Sequence, residues 1–486
     1  MNRFCLSLAH LCCAVAVVLA AETACAAPWI DMGVKDEIAF DQPAVTFEML
    51  ANDGSGTSLG PHGGDIFSIS NRFILDTGAT SIIAINGAES ELRDNGYVTE
   101  NTVLEQGVAG FSILDVSAPY IVEVTDSGGA TLALPSTRIM SGQFPDLFSV
   151  NGIVGMPAMT GRVVTLDETV WADIEDIFDI VPMEVHISNA LPTTNGHRYS
   201  VPIRAQTFDV VGDPPLPIAA PIPFVDMSVG FGGLNASGSF ILDTGAAISF
   251  ISSDLALQIG LDSNNDGVLD TSDEQSDGSL PIGGIGGIIE APLFYIDRFS
   301  VPTEQGVDLV WNLEGSLSVL VLDIHEEIDG VLGSDLLTSG WFSFFQEEST
   351  PGPVQMVHFD FREFFEDDDA GKIYFDLTPS YDVVQSAVIA GDFNGDGSVD
   401  AADYVLWRKS GGTQEQFQAW RSNFGQSSLG FGSATIAATS VPEPTSWTLL
   451  LWAALIAACG FAQRRTIFSR PVRCAASKSY GASLNG

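Results

Sequence analysis

Apolar residues along the chain follow three patterns. Most of the length carries short apolar runs broken by Gly, Pro, Asn and Asp. Tyr120–Val124 and Leu317–Leu322 alternate and predict half-buried strands. Phe73-Ile74-Leu75 and Phe240-Ile241-Leu242 are solid runs ending on an acid, and predict buried strands. Val163–Asp167 and Val357–Phe361 predict strands with a late Asp. Two short helices interrupt this pattern. One is Glu89–Asp94, ending near Gly96. The other is Leu255–Ile259, with Ser252-Ser253-Asp254 as its cap and Gly260 as its stop. Further on, Ala401–Lys409 and the amphipathic stretch Gln414–Phe424 predict a helix pair. Only Leu11–Ala21 and Trp447–Ala462 are unbroken apolar runs.

Those two runs read as addresses rather than fold. Arg3, the run Leu11–Ala21 and Ala24-Cys25-Ala26 have the order of a secretory signal over residues 1–26, cleaved after Ala26. Near the other end, Val441-Pro442-Glu443-Pro444 precedes the run Trp447–Ala462, and Arg464-Arg465 follows it. The run is about 16 residues, roughly 24 Å as a helix, a little short for a full span. The basic pair predicts a cytoplasmic end.

An internal repeat is the strongest signal. Phe73-Ile74-Leu75-Asp76-Thr77-Gly78-Ala79 recurs letter for letter as Phe240-Ile241-Leu242-Asp243-Thr244-Gly245-Ala246, 167 residues later. The surroundings recur in the same order. Each copy has its short helix, then a glycine-rich stretch (Gly107-Val108-Ala109-Gly110 and Gly283-Gly284-Ile285-Gly286-Gly287). Each then has two aliphatics and a Gly, Ile153-Val154-Gly155 and Val331-Leu332-Gly333. A proline-rich link (Pro214, Pro215, Pro217, Pro221, Pro223) precedes the second motif. Three apolar strand residues deliver an Asp to the end of a buried strand, Thr can bond across a two-fold interface, and Gly permits a sharp turn.

On these residues the chain resembles an aspartic peptidase made of two retropepsin-like lobes, over roughly residues 40–365. The resemblance implies an all-β fold of two β-barrel lobes, 40–190 and 196–365, related by a pseudo-two-fold axis. It implies a catalytic pair Asp76 and Asp243, an inter-loop grip of Thr77 and Thr244, and tight turns at Gly78 and Gly245. The glycine-rich stretches would be flap hairpins, with one or both covering a protein or peptide substrate. No residue stands out as a pepsin-like flap tyrosine, and Tyr120 fits poorly. The alternative is a non-catalytic surface binding or scaffolding protein that keeps the fold.

Two acidic loops share another spacing. Asp392, Asn394, Asp396, Asp400 and Asp403 occupy positions 1, 3, 5, 9 and 12 of a loop with Gly at position 6, and Ser398 offers a backbone carbonyl at position 7. Such a loop wraps Ca2+. With its following helix pair, residues 389–425 resemble a dockerin half-module, because the second loop is missing. A cohesin-like partner would follow from that resemblance. Asp262, Asn264, Asp266, Val268, Asp270 and Asp273 repeat the spacing inside the second lobe. Calcium binding and an ordinary solvated acidic insertion are both open there. After a linker at 429–446, the segment 447–465 and basic tail 466–486 resemble a PEP-CTERM sorting signal. That implies a bacterial envelope or secreted location, a C-terminal membrane helix and processing by an exosortase-like peptidase.

Composition excludes several classes. A net charge of −43 repels phosphate and argues against nucleic-acid binding. A hydrophobic fraction of 45% with 30 Phe is too high for a disordered acidic chain. All cysteines (Cys5, Cys12, Cys13, Cys25, Cys459, Cys474) lie near the ends, which removes disulfides, thiolate metal sites and a Cys nucleophile from the body. No His pair has metal-ligand spacing. Gly283–Gly287 lacks the Lys-Ser/Thr of a phosphate loop.

Overall fold

The computed structural model describes residues 28–33, 42–62, 71–144, 151–171, 183–208, 211–212, 219–338, 353–382, 384–385, 391, 393, 399–410 and 412–425. The predicted signal 1–26 and the segments 429–446, 447–465 and 466–486 lie outside them. Among the described residues no helix is long and apolar enough to cross a membrane.

Strands dominate, as the short alternating runs predict. Tyr120–Thr125 buries every second side chain and shows its other face to solvent. The strands form an eleven-stranded sheet in the first lobe and a fourteen-stranded sheet in and beyond the second. In each lobe the motif phenylalanine packs its ring against another phenylalanine. Phe73 stacks on Phe47 at 4.3 Å, and Phe240 meets Phe299 edge-on at 6.0 Å.

The repeat is structural as well as textual. Strand Arg72–Leu75 runs parallel to Gly152–Val154, with Ile153 opposite Ile74 and Val154 opposite Leu75. Strand Leu234–Leu242 runs parallel to Gly330–Leu332, with Val331 opposite Ile241 and Leu332 opposite Leu242. Gly152 and Gly330 sit against the rings of Phe73 and Phe240, where a Cβ would collide. The predicted helices also appear. The first spans Asn86–Asp94, and the second spans Ser253–Gln258 with the Ser252 side chain accepting from the Leu255 N–H.

One antiparallel sheet joins the lobes. Its order is Glu184–Ser188, Val163–Asp167, Val354–Asp360, Ala370–Leu377, Arg198–Gln206 and Ile222–Phe231. Strands Val163–Asp167 and Glu184–Ser188 lie within 40–190 and the other four come later in the chain, so the lobes share hydrogen bonds rather than merely touching. Strand Ala370–Leu377 lies beyond the expected limit of residue 365. Strand Trp29–Asp31 lies before residue 40, and pairs between Asp308–Val321 and Val384–Gln385. Short strands of this kind carry too little pattern to be read from sequence.

The joining sheet holds a buried polar cluster. Arg198 donates to both carboxylate oxygens of Asp376 at 2.5 and 2.7 Å and to His358 Nε2 at 2.9 Å. His358 Nδ1 lies 2.8 Å from Thr165 Oγ1. Burial pushes the Asp376 carboxyl up, but these donors bring it below the usual carboxylate range.

Helices Ala401–Ser410 and Gln414–Asn423 form the expected pair. Tyr404, Trp407, Phe417 and Trp420 pack their rings between them, and Trp420 Nε1 donates to the Asp400 carbonyl at 2.6 Å.

Candidate active site

Both Asp-Thr-Gly loops emerge where a motif strand ends, each held from behind by the crossing segment. The Asp76 N–H donates to the Val154 carbonyl at 3.1 Å, and the Asp243 N–H donates to the Leu332 carbonyl at 3.0 Å. The loops then lock onto each other. Thr77 Oγ1 donates to the Leu242 carbonyl at 2.6 Å and accepts the Thr244 N–H at 3.1 Å. Thr244 Oγ1 donates to the Leu75 carbonyl at 2.6 Å and accepts the Thr77 N–H at 3.1 Å. Both threonines are buried.

This ring of four bonds sets the acids face to face. A Cβ on Gly78 would lie 2.6 Å from Asp243 Cγ, and one on Gly245 would lie 2.5 Å from Asp76 Cγ. Each carboxyl therefore occupies space that only the opposite loop's glycine leaves free. The Gly78 N–H donates to Asp76 Oδ1, and the Gly245 N–H to Asp243 Oδ1, each at 2.8 Å. Both carboxyls sit deep in the protein and keep a solvent-facing edge. Burial pushes both above the usual carboxylate range. At Asp76 the charge of Asp243 and a hydrogen bond between the two add to the rise. Two acids placed so close favour sharing a proton over ionising together.

The glycine-rich stretches are hairpins, Thr99–Gly107 with Gly110–Ser117 and Ser276–Gly284 with Gly287–Pro302. They close on the pairs Gly107–Gly110 and Gly284–Gly287. The tips meet. The Ala109 N–H donates to the Ile285 carbonyl at 3.3 Å, Gly107 abuts Ile285, and the Val108 side chain lies against Gly284. Both stretches thus form hairpins whose tips touch. Tyr120 is buried at the base of the first hairpin, its hydroxyl accepting the Val98 N–H at 2.9 Å.

Sequence reasoning missed several neighbours. Gln42 Nε2 donates to the Gly245 carbonyl, reaching from one lobe to the other's loop. Ser249 Oγ and N–H donate to the buried Asp335 carboxylate at 2.7 and 2.9 Å, and Ser334 Oγ donates to the Thr244 carbonyl at 2.9 Å. Aligning the repeats beyond Gly155 and Gly333 would have exposed this asymmetry, because Met156-Pro157 stands where the second lobe has Ser334-Asp335.

Of the calcium-spaced loops, 262–273 is described throughout. Asp262 accepts the N–H groups of Asp266 and Gly267 at 3.2 and 2.9 Å, Asn264 accepts the Asp266 N–H at 2.9 Å, and Asp266 accepts the Val268 N–H at 2.8 Å. Asp270 accepts the Ser272 N–H at 2.7 Å. Asp273 is buried and accepts from Ser263 N at 2.9 Å and Asp270 N at 3.2 Å. In the other loop, Asp392, Asn394, Asp396 and Ser398 lie outside the described residues. Asp403 repeats the role of Asp273, accepting from Phe393 N at 2.7 Å and Asp400 N at 2.8 Å. Position 12 thus binds the N–H groups of positions 2 and 9 in both loops. Asp167, Glu184 and His186 also gather on the joining sheet, half-exposed.

Two lobes on a joining sheet each deliver one Asp-Thr-Gly loop to a common axis. No family model and no curated protein matches the chain. Solved structures that resemble it include an aspartic proteinase from Irpex lacteus, at 12% identity and TM-score 0.38, over 70% of this chain and 97% of that one. Another is Basic 7S globulin from soybean, at 8% identity and TM-score 0.34, over 69% of this chain and 96% of that one. At these scores neither bears on the chemistry of the site.

Proposed function

We propose that the protein is an exported aspartic endopeptidase that hydrolyses peptide bonds with Asp76, Asp243 and one water. The observation that carries this reading is the threonine ring, which holds two part-exposed carboxyls in contact. Two acids this close share a proton. The ionised carboxylate takes a proton from the water as its oxygen attacks the scissile carbonyl carbon. The protonated carboxyl donates to the carbonyl oxygen, giving a neutral tetrahedral gem-diol. Collapse breaks the C–N bond: the leaving nitrogen takes a proton from one acid while a gem-diol hydroxyl gives its proton to the other, restoring the singly protonated pair. Thr77 and Thr244 position the acids, while Gly78 and Gly245 leave room for them.

Cleavage of a denatured protein at acid pH tests this directly. Asp76→Asn and Asp243→Asn should each lower it by about a thousandfold or more, and a pepstatin-type inhibitor should block the parent enzyme. Cleavage retained in either variant overturns the assignment, leaving the non-catalytic binding or scaffolding reading.

The same reading includes Ca2+ at both acidic loops. Their donors are all oxygens, which suits a hard cation. Asp262, Asn264, Asp266, Asp270, Asp273 and the Val268 carbonyl would hold one ion. Asp392, Asn394, Asp396, Asp400, Asp403 and the Ser398 carbonyl would hold the other. The ion would neutralise clustered carboxylates and order the loop. The sequence signals at the two ends support export to the bacterial envelope and processing by an exosortase-like peptidase. A cohesin-like partner for the 389–425 module rests on the dockerin resemblance alone.

A further inference from the structure

The two hairpins close on equivalent glycine pairs and differ in the side chains on their inner faces. Counting back two residues from the closing pair reaches Glu105 in the first and Ile282 in the second. Strand alternation puts Glu105 on the same face as Val103 and Gly107. Val103 is buried against the first lobe and Gly107 abuts the opposite tip, so this face looks inward. The outward face carries Leu104, Phe111 and Ile113, which are exposed. Under the second hairpin the equivalent inward positions, Ile282 and its cross-strand partner Ile289, are apolar.

Glu105 is half-buried and has no hydrogen-bond or ion-pair partner among the described residues. A carboxylate in that setting costs free energy unless something pairs it. Burial accordingly pushes its carboxyl up to about 7. An inward-facing carboxylate with no partner of its own is a receptor for a cation that arrives with a ligand.

We propose that the cleft is charge-asymmetric: Glu105 receives a Lys or Arg side chain of the substrate beneath the first hairpin, and Ile282 receives an apolar side chain beneath the second. This deepens the peptidase reading and rests on it for turnover, but the recognition step can be measured without turnover. A substrate then has one favoured direction across the nearly symmetric acid pair, because reversing it would put a cation against Ile282 and leave Glu105 unpaired.

The test is peptide binding to the full-length Asp76→Asn protein near pH 7.5, using matched peptides that carry Lys, norleucine or Glu at a scanned position. At one position Lys should bind about tenfold tighter than norleucine, and Glu weaker than both. Glu105→Gln, which keeps the shape, should erase the Lys advantage, and Glu105→Lys should transfer it to the Glu peptide. Absence of a Lys advantage at every position, or its survival in Glu105→Gln, overturns the proposal. The parent enzyme assayed on the same peptides reports separately on the acid pair. Selective binding without cleavage would overturn the peptidase reading and keep the asymmetry, and cleavage without selectivity would do the reverse.

Discussion

Thr77 and Thr244 each spend both hydrogen-bonding capacities of one hydroxyl on the other's loop, donating to a strand carbonyl and accepting a backbone N–H. Neither bond set can form without both lobes, so the ring couples the closure of the interface to the spacing of Asp76 and Asp243. Replacing Thr77 by Val keeps the shape and strands the Leu242 carbonyl and Thr244 N–H in a buried site. The expected cost is about 3 kcal/mol of unfolding free energy, read by denaturant titration, with a matching loss for Thr244→Val. Thr77→Ser should retain most of the stability. A Val variant as stable as the parent would mean the ring is not holding the lobes together.

The elements that position this ring were legible because they are short-range and duplicated. Seven identical residues around Asp76 and Asp243, followed by Ile153-Val154-Gly155 and Val331-Leu332-Gly333, give the loop and its crossing strand twice over. Ser252 as a cap and the helix it starts were readable for the same reason. The joining sheet was not, since its six strands come from distant stretches and their pairing depends on how the lobes close. Gln42 and Asp335 were hidden as well. They sit in unremarkable sequence, and their part depends on contacts made across the fold.

The hairpin tips offer a covalent test of gating. A Cβ on Gly284 would lie 3.5 Å from Val108 Cβ, within the range a disulfide spans. The body between Ala26 and Ala458 has no cysteine to compete. Val108→Cys with Gly284→Cys should therefore cross-link under mild oxidation, which mass spectrometry of a peptide digest would show. Proteolysis should fall to background in the oxidised form and return with dithiothreitol. Full activity with the cross-link in place would show that substrate does not enter by parting the tips.

Asp335 predicts a pH slope in stability. Burial pushes its carboxyl up to about 6 from 3.8, in spite of the Ser249 donors. The folded state therefore holds the proton more tightly than the unfolded chain. Its contribution is complete below pH 3.8, falls as pH rises, and is lost above about 6. The full change is about 3 kcal/mol. Glu168, buried and with neither carboxyl oxygen hydrogen-bonded among the described residues, is pushed up by burial and by Asp167 and acts in the same direction. Denaturant unfolding across this window should show the slope flattened in Asp335→Asn. Glu168→Met should raise stability at neutral pH by about 2 kcal/mol. An unchanged slope in Asp335→Asn would show that its proton is not retained on folding.

The loop 262–273 lies between helix Ser253–Gln258 and strand Ser276–Gly284, so its last ligand position, Asp273, stands three residues before the second hairpin begins. Without a cation, the carboxylates of Asp262, Asp266, Asp270 and Asp273 repel one another in a short span and lean on backbone N–H groups and serine hydroxyls. With Ca2+ they would hold that end of the hairpin in place. Removing calcium with EGTA is therefore expected to lower proteolysis severalfold and to lower the thermal midpoint, both restored by added Ca2+ but not Mg2+, whose smaller octahedral shell fits the loop poorly. Asp266→Ala should abolish the activity response, whereas Asp396→Ala, in the C-terminal module, should leave it intact. That pair of variants assigns the response to a loop, since each site removes one ion. Equal calcium sensitivity in Asp266→Ala and the parent would show that the hairpin is ordered without the ion.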